Sequence, residues 1–275
     1  MNIIDRLTVI VALMVCLTTA NDAYSADATT TAAACWDEGI EAYEARDYAK
    51  AVEAFEHIVT LGEASEDVYY NLAGAYFKLG QQNISSTLRP FAGGELGRAV
   101  LNYHRALRID PAMEDARYNL DLAVDHTNDT EAVPDSFITQ LWHSLRDMTG
   151  TNGWTVASII MLAIALMLTI VYLLGQRIVL RKVTFFTALV LYIGFMLTTA
   201  LAISSHMATT NDTRAVVICN DTTPVHASPD SASKIIRQPS QGVTLEVLRS
   251  HGEWSEILFA DGEKGWIRTS QIENI

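Results

Sequence analysis

The chain has 275 residues, with 32 acidic against 19 basic side chains and a formal charge of −13. That balance excludes a nucleic-acid partner, which would need clustered lysine and arginine to displace counterions. Hydrophobic residues make up 49%, and their uneven distribution divides the chain into a leader, a helical segment, a membrane segment and a β segment.

Residues 1–25 read as a signal peptide. Arg6 and the amino terminus precede an apolar run, Leu7–Ala20, that is short for spanning. Ala23-Tyr24-Ser25 supplies small residues before a cut placed after Ser25. An uncleaved third spanning helix is the alternative; either way, the chain from residue 30 onward is exported. Cys16 leaves with the signal, so Cys35 and Cys219 remain. An oxidising compartment permits a disulfide between them, which spacing alone does not establish.

Residues 34–126 repeat a helical pattern. Trp36, Gly39, Tyr43, Ala51 and Phe55 are followed by Leu72, Ala73, Tyr76, Ala99, Tyr103, Ala106 and Pro111. This matches the large, small and aromatic positions of paired tetratricopeptide helices, and predicts an all-α repeat domain. Small residues at Ala51 and Ala99 let two backbones approach, Phe55 and Tyr103 fill the next gap, and Pro111 stops its helix. The spacing from Ala51 to Ala99 exceeds the ~34-residue period by the length of Gln81–Gly94. That stretch, with Pro90, Gly93 and Gly94, reads as a protruding loop inserted in the second repeat. Glu114–His126 reads as a capping helix, completing two repeats and a cap. Tyr70, Asn71, Gly74, Phe77, Tyr118 and Asn119 are expected to line the hollow face and to bind a protein or peptide segment; packing or capping is the plainer role for them. Asp67 and Asp115 on this face would repel a C-terminal carboxylate.

Residues 127–153 form a linker and an amphipathic helix. Ile138, Leu141, Trp142, Leu145 and Met148 share one face of Asp135–Met148 with Phe137, and Asp135 or Ser136 is the candidate N-cap. An apolar face with a tryptophan suits a helix lying in the headgroup region, with packing on the repeats as the alternative. Residues 154–174 and 183–205 are uncharged, and each is long enough to cross a hydrocarbon core of about 30 Å. Between them, residues 175–182 hold Arg177, Arg181 and Lys182. Cationic short loops are retained in the cytoplasm, so both aqueous segments should face the exported side of a bacterial inner membrane. The threonines of the spans, Thr169, Thr184, Thr187, Thr198 and Thr199, can bond back to their own helices. With no ionisable side chain inside, the hairpin reads as an anchor rather than a pathway.

Residues 214–275 change period. Ala215–Cys219, Val243–Leu248 and Trp254–Phe259 alternate or run apolar like strands, separated by Pro, Gly and Asp turn signals. Five short strands closed into a small barrel are predicted. The order Val225-His-Ala-Ser-Pro229, Gly242-Val-Thr-Leu-Glu-Val247, Gly252-Glu-Trp254 and Gly265-Trp266-Ile267 resembles the bacterial SH3-like family. That resemblance implies binding of peptidoglycan or peptides in a groove, with His226, Trp254 and Glu256 as candidates. The plainer alternative makes Trp254 and Trp266 barrel core and the domain a spacer.

The whole order resembles the BatE proteins of the Bacteroides aerotolerance group, through Tyr70–Gly80, Asn102–Pro111, Glu114–Asp121 and Asn152-Gly-Trp154. The insertion 81–94 departs from the compact repeat. The resemblance implies an accessory membrane protein acting beside a MoxR-type ATPase and von Willebrand A-domain membrane proteins, in oxygen or envelope stress. The seven histidines show no zinc-type spacing, and there is no nucleophile elbow or phosphate-cradling glycine loop. The sequence therefore predicts a non-enzymatic adaptor without metal or cofactor, with a peptidoglycan tether as the alternative.

Overall fold

The computed structural model describes residues 31–82, 91–127, 137–210, 212–219 and 223–275. The signal-peptide reading and the N-caps expected at Asp135 or Ser136 lie outside the described residues.

The N-terminal part is helix-rich. Helix α1 runs through residues 31–44 and packs on α2 (Tyr48–Leu61), where Phe55 is wholly buried and meets the Trp36 ring edge-on at 5.7 Å. A Cβ at Gly39 would come within 2.6 Å of the Phe55 ring, which explains the glycine. The Asp47 carboxylate caps α2 from its N-terminus, accepting from Lys50 N at 3.3 Å. Gly62, in the left-handed region at φ 79°, closes it. Helices α3 (Glu66–Gln82), α4 (Glu95–Ile109) and α5 (Glu114–Val124) continue the stack, each packed on the one before. Ala51, Ala73, Ala99, Ala106, Ala116 and Ala123 are fully buried, so small residues sit where helix surfaces meet.

The insertion is not wholly a protruding loop. Helix α3 extends to Gln82, and residues 83–90 lie outside the described chain. Phe91 then returns to the stack: its N–H donates to Gly80 O at 3.2 Å, and its ring packs on Phe77 and His126. Burying such a ring contributes about 2 kcal/mol, enough to pin this corner.

Three helices come next: α6 (Phe137–Arg146), α7 (Thr151–Leu174) and α8 (Ile178–Thr210). Both α7 and α8 are long and apolar enough to cross a membrane. They pack along small buried residues, among them Ser158, Ala165, Ala188 and Thr198, which let the backbones approach. Thr169, Thr184 and Thr198 bond back to carbonyls of their own helices, whereas the buried Thr199 hydroxyl has no partner. The connecting loop is shorter than 175–182, because α8 begins at Ile178 and takes Arg181 and Lys182 into its first turns. Long cationic side chains can extend from a helix end toward water, so they need not break it. Helix α6 packs on α8, with Trp142 Nε1 donating to Ser204 Oγ at 3.2 Å.

The C-terminal segment forms one antiparallel sheet of seven strands rather than five. They are β1 (Arg214–Val217), β2 (Val225–His226), β3 (Ile235–Arg237), β4 (Thr244–His251), β5 (Trp254–Leu258), β6 (Lys264–Arg268) and β7 (Ile272–Asn274). Their order is β3-β2-β6-β5-β4-β1-β7, so β3 and β7 are edges and the ladder does not close. The β7 edge is covered instead: Arg105 of α4 donates to Asn274 O at 2.9 Å and pairs with Glu273 at 2.7 Å.

The two aqueous segments are therefore not separate bodies joined only by the hairpin. Ala215 and Val217 face the sheet core, while Val216 and Ile275 belong to the core of the helical stack. Gly97 of α4 lies against β1, where a Cβ would come within 2.4 Å of Val217 O. Gln241 Nε2 donates to Phe91 O at 2.5 Å, tying a sheet turn to the anchored corner.

Candidate functional site

Two faces carry the residues expected to bind. On the helical stack, Tyr70 of α3 meets Tyr103 of α4, with centroids 6.1 Å apart. Its hydroxyl accepts from Asn119 Nδ2 of α5 at 3.0 Å. A Cβ on Gly74 would stand 3.7 Å from the Tyr43 hydroxyl and 3.8 Å from that of Tyr103, in ordinary contact with both. Asn71 is turned to its own helix, donating to Asp67 O at 2.8 Å. Tyr118 is 70% exposed. Phe77 does not belong to this face; it is buried against Phe91 and His126, because the returning insertion covers it. Tyr43 and Tyr103 complete the cluster in its place. The repeat pattern contains both, but as packing positions.

Desolvation raises the pKa of Tyr43, with smaller contributions from Tyr48 and Tyr70. Desolvation, then the charge of Asp115, raises that of Tyr70. Burial also raises that of Tyr103. The face thus presents neutral phenols beside carboxylates at neutral pH, suited to hydrogen bonding and to basic or neutral segments rather than anions.

On the sheet, period-two alternation puts Ser255, Ile257 and Ile267 inward and leaves Trp254, Glu256 and Trp266 half-buried on the opposite face. Each tryptophan lies under an arginine: Arg268 is 5.2 Å from the Trp254 centroid and Arg249 is 5.5 Å from that of Trp266. Arg249 Nε also donates to Glu256 Oε2 at 2.6 Å. All three expected residues lie on this face: the register His226↔Trp266 places His226 there with Trp254 and Glu256, and His226 is buried, its Nδ1 3.1 Å from Ser233 O and its ring edge-on to Trp254 at 5.2 Å. Sequence reasoning missed Arg249 and Arg268. The registers Arg249↔Glu256↔Trp266 and Trp254↔Arg268 supply them, and they depend on strand pairing, not on local pattern.

Residues 221–273 match the bacterial SH3 domain family. The strands from β2 onward, their turn glycines and the paired tryptophans thus belong to an SH3 domain, and β1, which precedes the matched residues, pairs with β4 and β7 in the same sheet. No curated protein and no solved structure matches the chain.

Where the SH3 domain, α4, α5 and the end of α8 meet, a cavity of about 220 Å³ is lined by His104, Arg117, Asp147, Ser205, Asp212 and Arg214 among others. Two ion pairs line it: Arg214 with Asp212 at 2.7 Å, and Arg117 with Asp147 at 3.7 Å. Burial, with Arg214 adding to it, pushes His104 down to about 4, so its imidazole is neutral near pH 7. His104, on α4, occupies this joint, with Nε2 3.4 Å from Thr244 Oγ1. Cys35 and Cys219 are not joined by a disulfide, and Cys35 Sγ lies 3.2 Å from His57 Nδ1. Among the described residues, no group of three or more His, Cys, Asp or Glu is placed to hold a metal ion.

Proposed function

We propose that this chain is a non-enzymatic adaptor, anchored in the bacterial inner membrane by α7 and α8, that holds protein segments on the exported side. The observation that carries this reading is the pairing of an SH3 domain with a helical stack on a shared core, both outer faces remaining open. Membrane anchoring is supported by the length and apolar composition of α7 and α8 and by the exposed apolar side chains of α6, Ile138 at 78% and Leu141 at 48%, which suit the headgroup region. The exported orientation rests on the cations where α7 turns into α8. The resemblance to the aerotolerance group adds a role in oxygen or envelope stress, beside a MoxR-type ATPase and von Willebrand A-domain proteins.

The test is photo-cross-linking in cells from positions 71, 118 and 266 of the full chain. We expect positions 71 and 118 to recover one protein partner in common; failure to recover any protein from either would sink the adaptor. A second reading, a cell-wall tether, is favoured by the tryptophan–arginine face, since flat aromatic rings stack on sugars and arginines meet carboxylates. Co-sedimentation of the full chain with purified sacculi, lost in Trp266→Ala, would favour the tether.

A further inference from the structure

The far end of the hairpin carries an unbalanced charge. Arg177, Arg181 and Lys182 cluster where α7 turns into α8, and no aspartate or glutamate occurs between Asp147 and Asp212. None of the three cations has a salt-bridge partner among the described residues. Positive charge held beside an apolar phase without a counter-ion is costly, and a mobile salt ion screens it poorly there.

The cations are not loose on a surface. A cavity of about 300 Å³ is lined by Tyr172, Ile178, Arg181, Lys182, Phe185 and Phe186. The Arg181 guanidinium lies over the Tyr172 ring at 5.0 Å, a cation–π contact that holds the charge beside the rings. Tyr172 packs on Phe185 at 5.7 Å, and Phe185 on Phe186 at 5.4 Å. The outer wall is apolar and open, with Ile178 74% and Phe186 63% exposed. A ligand that fits has an anionic head of phosphate size for the cations and hydrocarbon for the rings and Ile178. A free phosphate would leave the apolar wall uncovered.

We propose that this end of the hairpin is a binding site for one anionic phospholipid, its phosphate held by Arg181 and Lys182 and its acyl chains lying along Phe185 and Phe186. Arg177 adds long-range attraction. The inference rests on the reading of α7 and α8 as membrane spans.

The test uses the full chain, reconstituted in nanodiscs of equimolar phosphatidylglycerol and phosphatidylcholine, then extracted into detergent for native mass spectrometry of retained lipid. We expect phosphatidylglycerol to be retained over phosphatidylcholine by about tenfold. Arg181→Gln with Lys182→Gln should bring the ratio close to one, and Arg146→Gln, at the opposite end, should leave it unchanged. Tyr172→Leu keeps every charge but removes the ring beneath Arg181, and should lower the ratio by about threefold. An unchanged ratio in the double variant overturns the site, and an unchanged ratio in Tyr172→Leu reduces it to diffuse surface attraction. Displacement of the lipid by millimolar inorganic phosphate would assign the site to free phosphate and also overturn it. Retention of both lipids in equal amount defeats this inference alone, whereas retention of neither, with failure to enter nanodiscs, defeats the membrane reading beneath it.

Discussion

His104 shows how one residue couples the parts of the molecule. Burial between α4 and the SH3 domain, reinforced by Arg214, pushes it down to about 4, whereas an unfolded histidine titrates near 6.5. Below about 6.5 the unfolded chain takes up a proton that the folded chain refuses. The stability associated with neutral His104 is therefore complete above about pH 6.5 and is lost as pH falls toward about 4. Allowing for water that reaches the adjoining cavity, the loss is about 2 kcal/mol. Denaturant titrations at several pH values should show this decline, and His104→Gln should flatten it by that amount. An equal slope in both proteins would mean that the imidazole is solvated and that the joint opens. Sequence could not reveal this burial: His104 occupies an exposed-looking position of an amphipathic helix, and what covers it comes from a strand more than a hundred residues away.

Strand β1 makes the same point for an element. A strand with one wet face should alternate, yet Arg214-Ala-Val-Val-Ile-Cys219 is, after its arginine, a continuous apolar run. Ala215, Val216 and Val217 are all fully buried, which is what such a run signals when both faces are covered. The pattern was therefore legible as a strand, and its continuity held the further message that something packs outside it. Val216→Ala should cost about 2 kcal/mol. Because Val216 lies in the helical core while its neighbours lie in the sheet core, helix ellipticity and tryptophan fluorescence should lose stability together; loss of one signal alone would mean separable cores. Local patterns served well wherever an element's partners are close in sequence: α2 to α5, the apolar helices and the turn-separated strands are all visible in periodicity. They served poorly where distant segments meet. The return of Phe91 onto Phe77 closed part of the expected groove, and the arginines over Trp254 and Trp266 depend on strand register. Charge also overstates the length of the hairpin loop, because a lysine or arginine near the start of a helix only needs its head group in water.

At the scale of the molecule, α8 is the continuous member. At about 1.5 Å per residue its 33 residues span about 50 Å, more than a bilayer core of about 30 Å requires. It ends at Thr210, and β1 begins at Arg214. The SH3 domain thus comes directly after a helix, while α4 grips it through Arg105, Gly97 and the Gln241 turn, so its orientation to the helical face is fixed by packing rather than by a tether. A domain held this way should not be independent. Residues 214–275 expressed alone would expose Val216 and Ile275, each worth about 1.5–3 kcal/mol when buried, along with the unpaired edge of β7. That is a large share of the 5–15 kcal/mol typical of a whole domain, and sheets this small have little to spare. The isolated segment should melt at least about 15 °C below the aqueous part of the full chain, or associate through β7, as sedimentation would reveal. The full chain with Arg105→Ala should retain a single transition, since an ion pair this accessible contributes only about 0.2–1 kcal/mol and the apolar contacts persist. Equal melting of the isolated segment and the full chain would make the SH3 domain an autonomous unit, and the fixed angle between the two open faces could then no longer be part of the proposed adaptor.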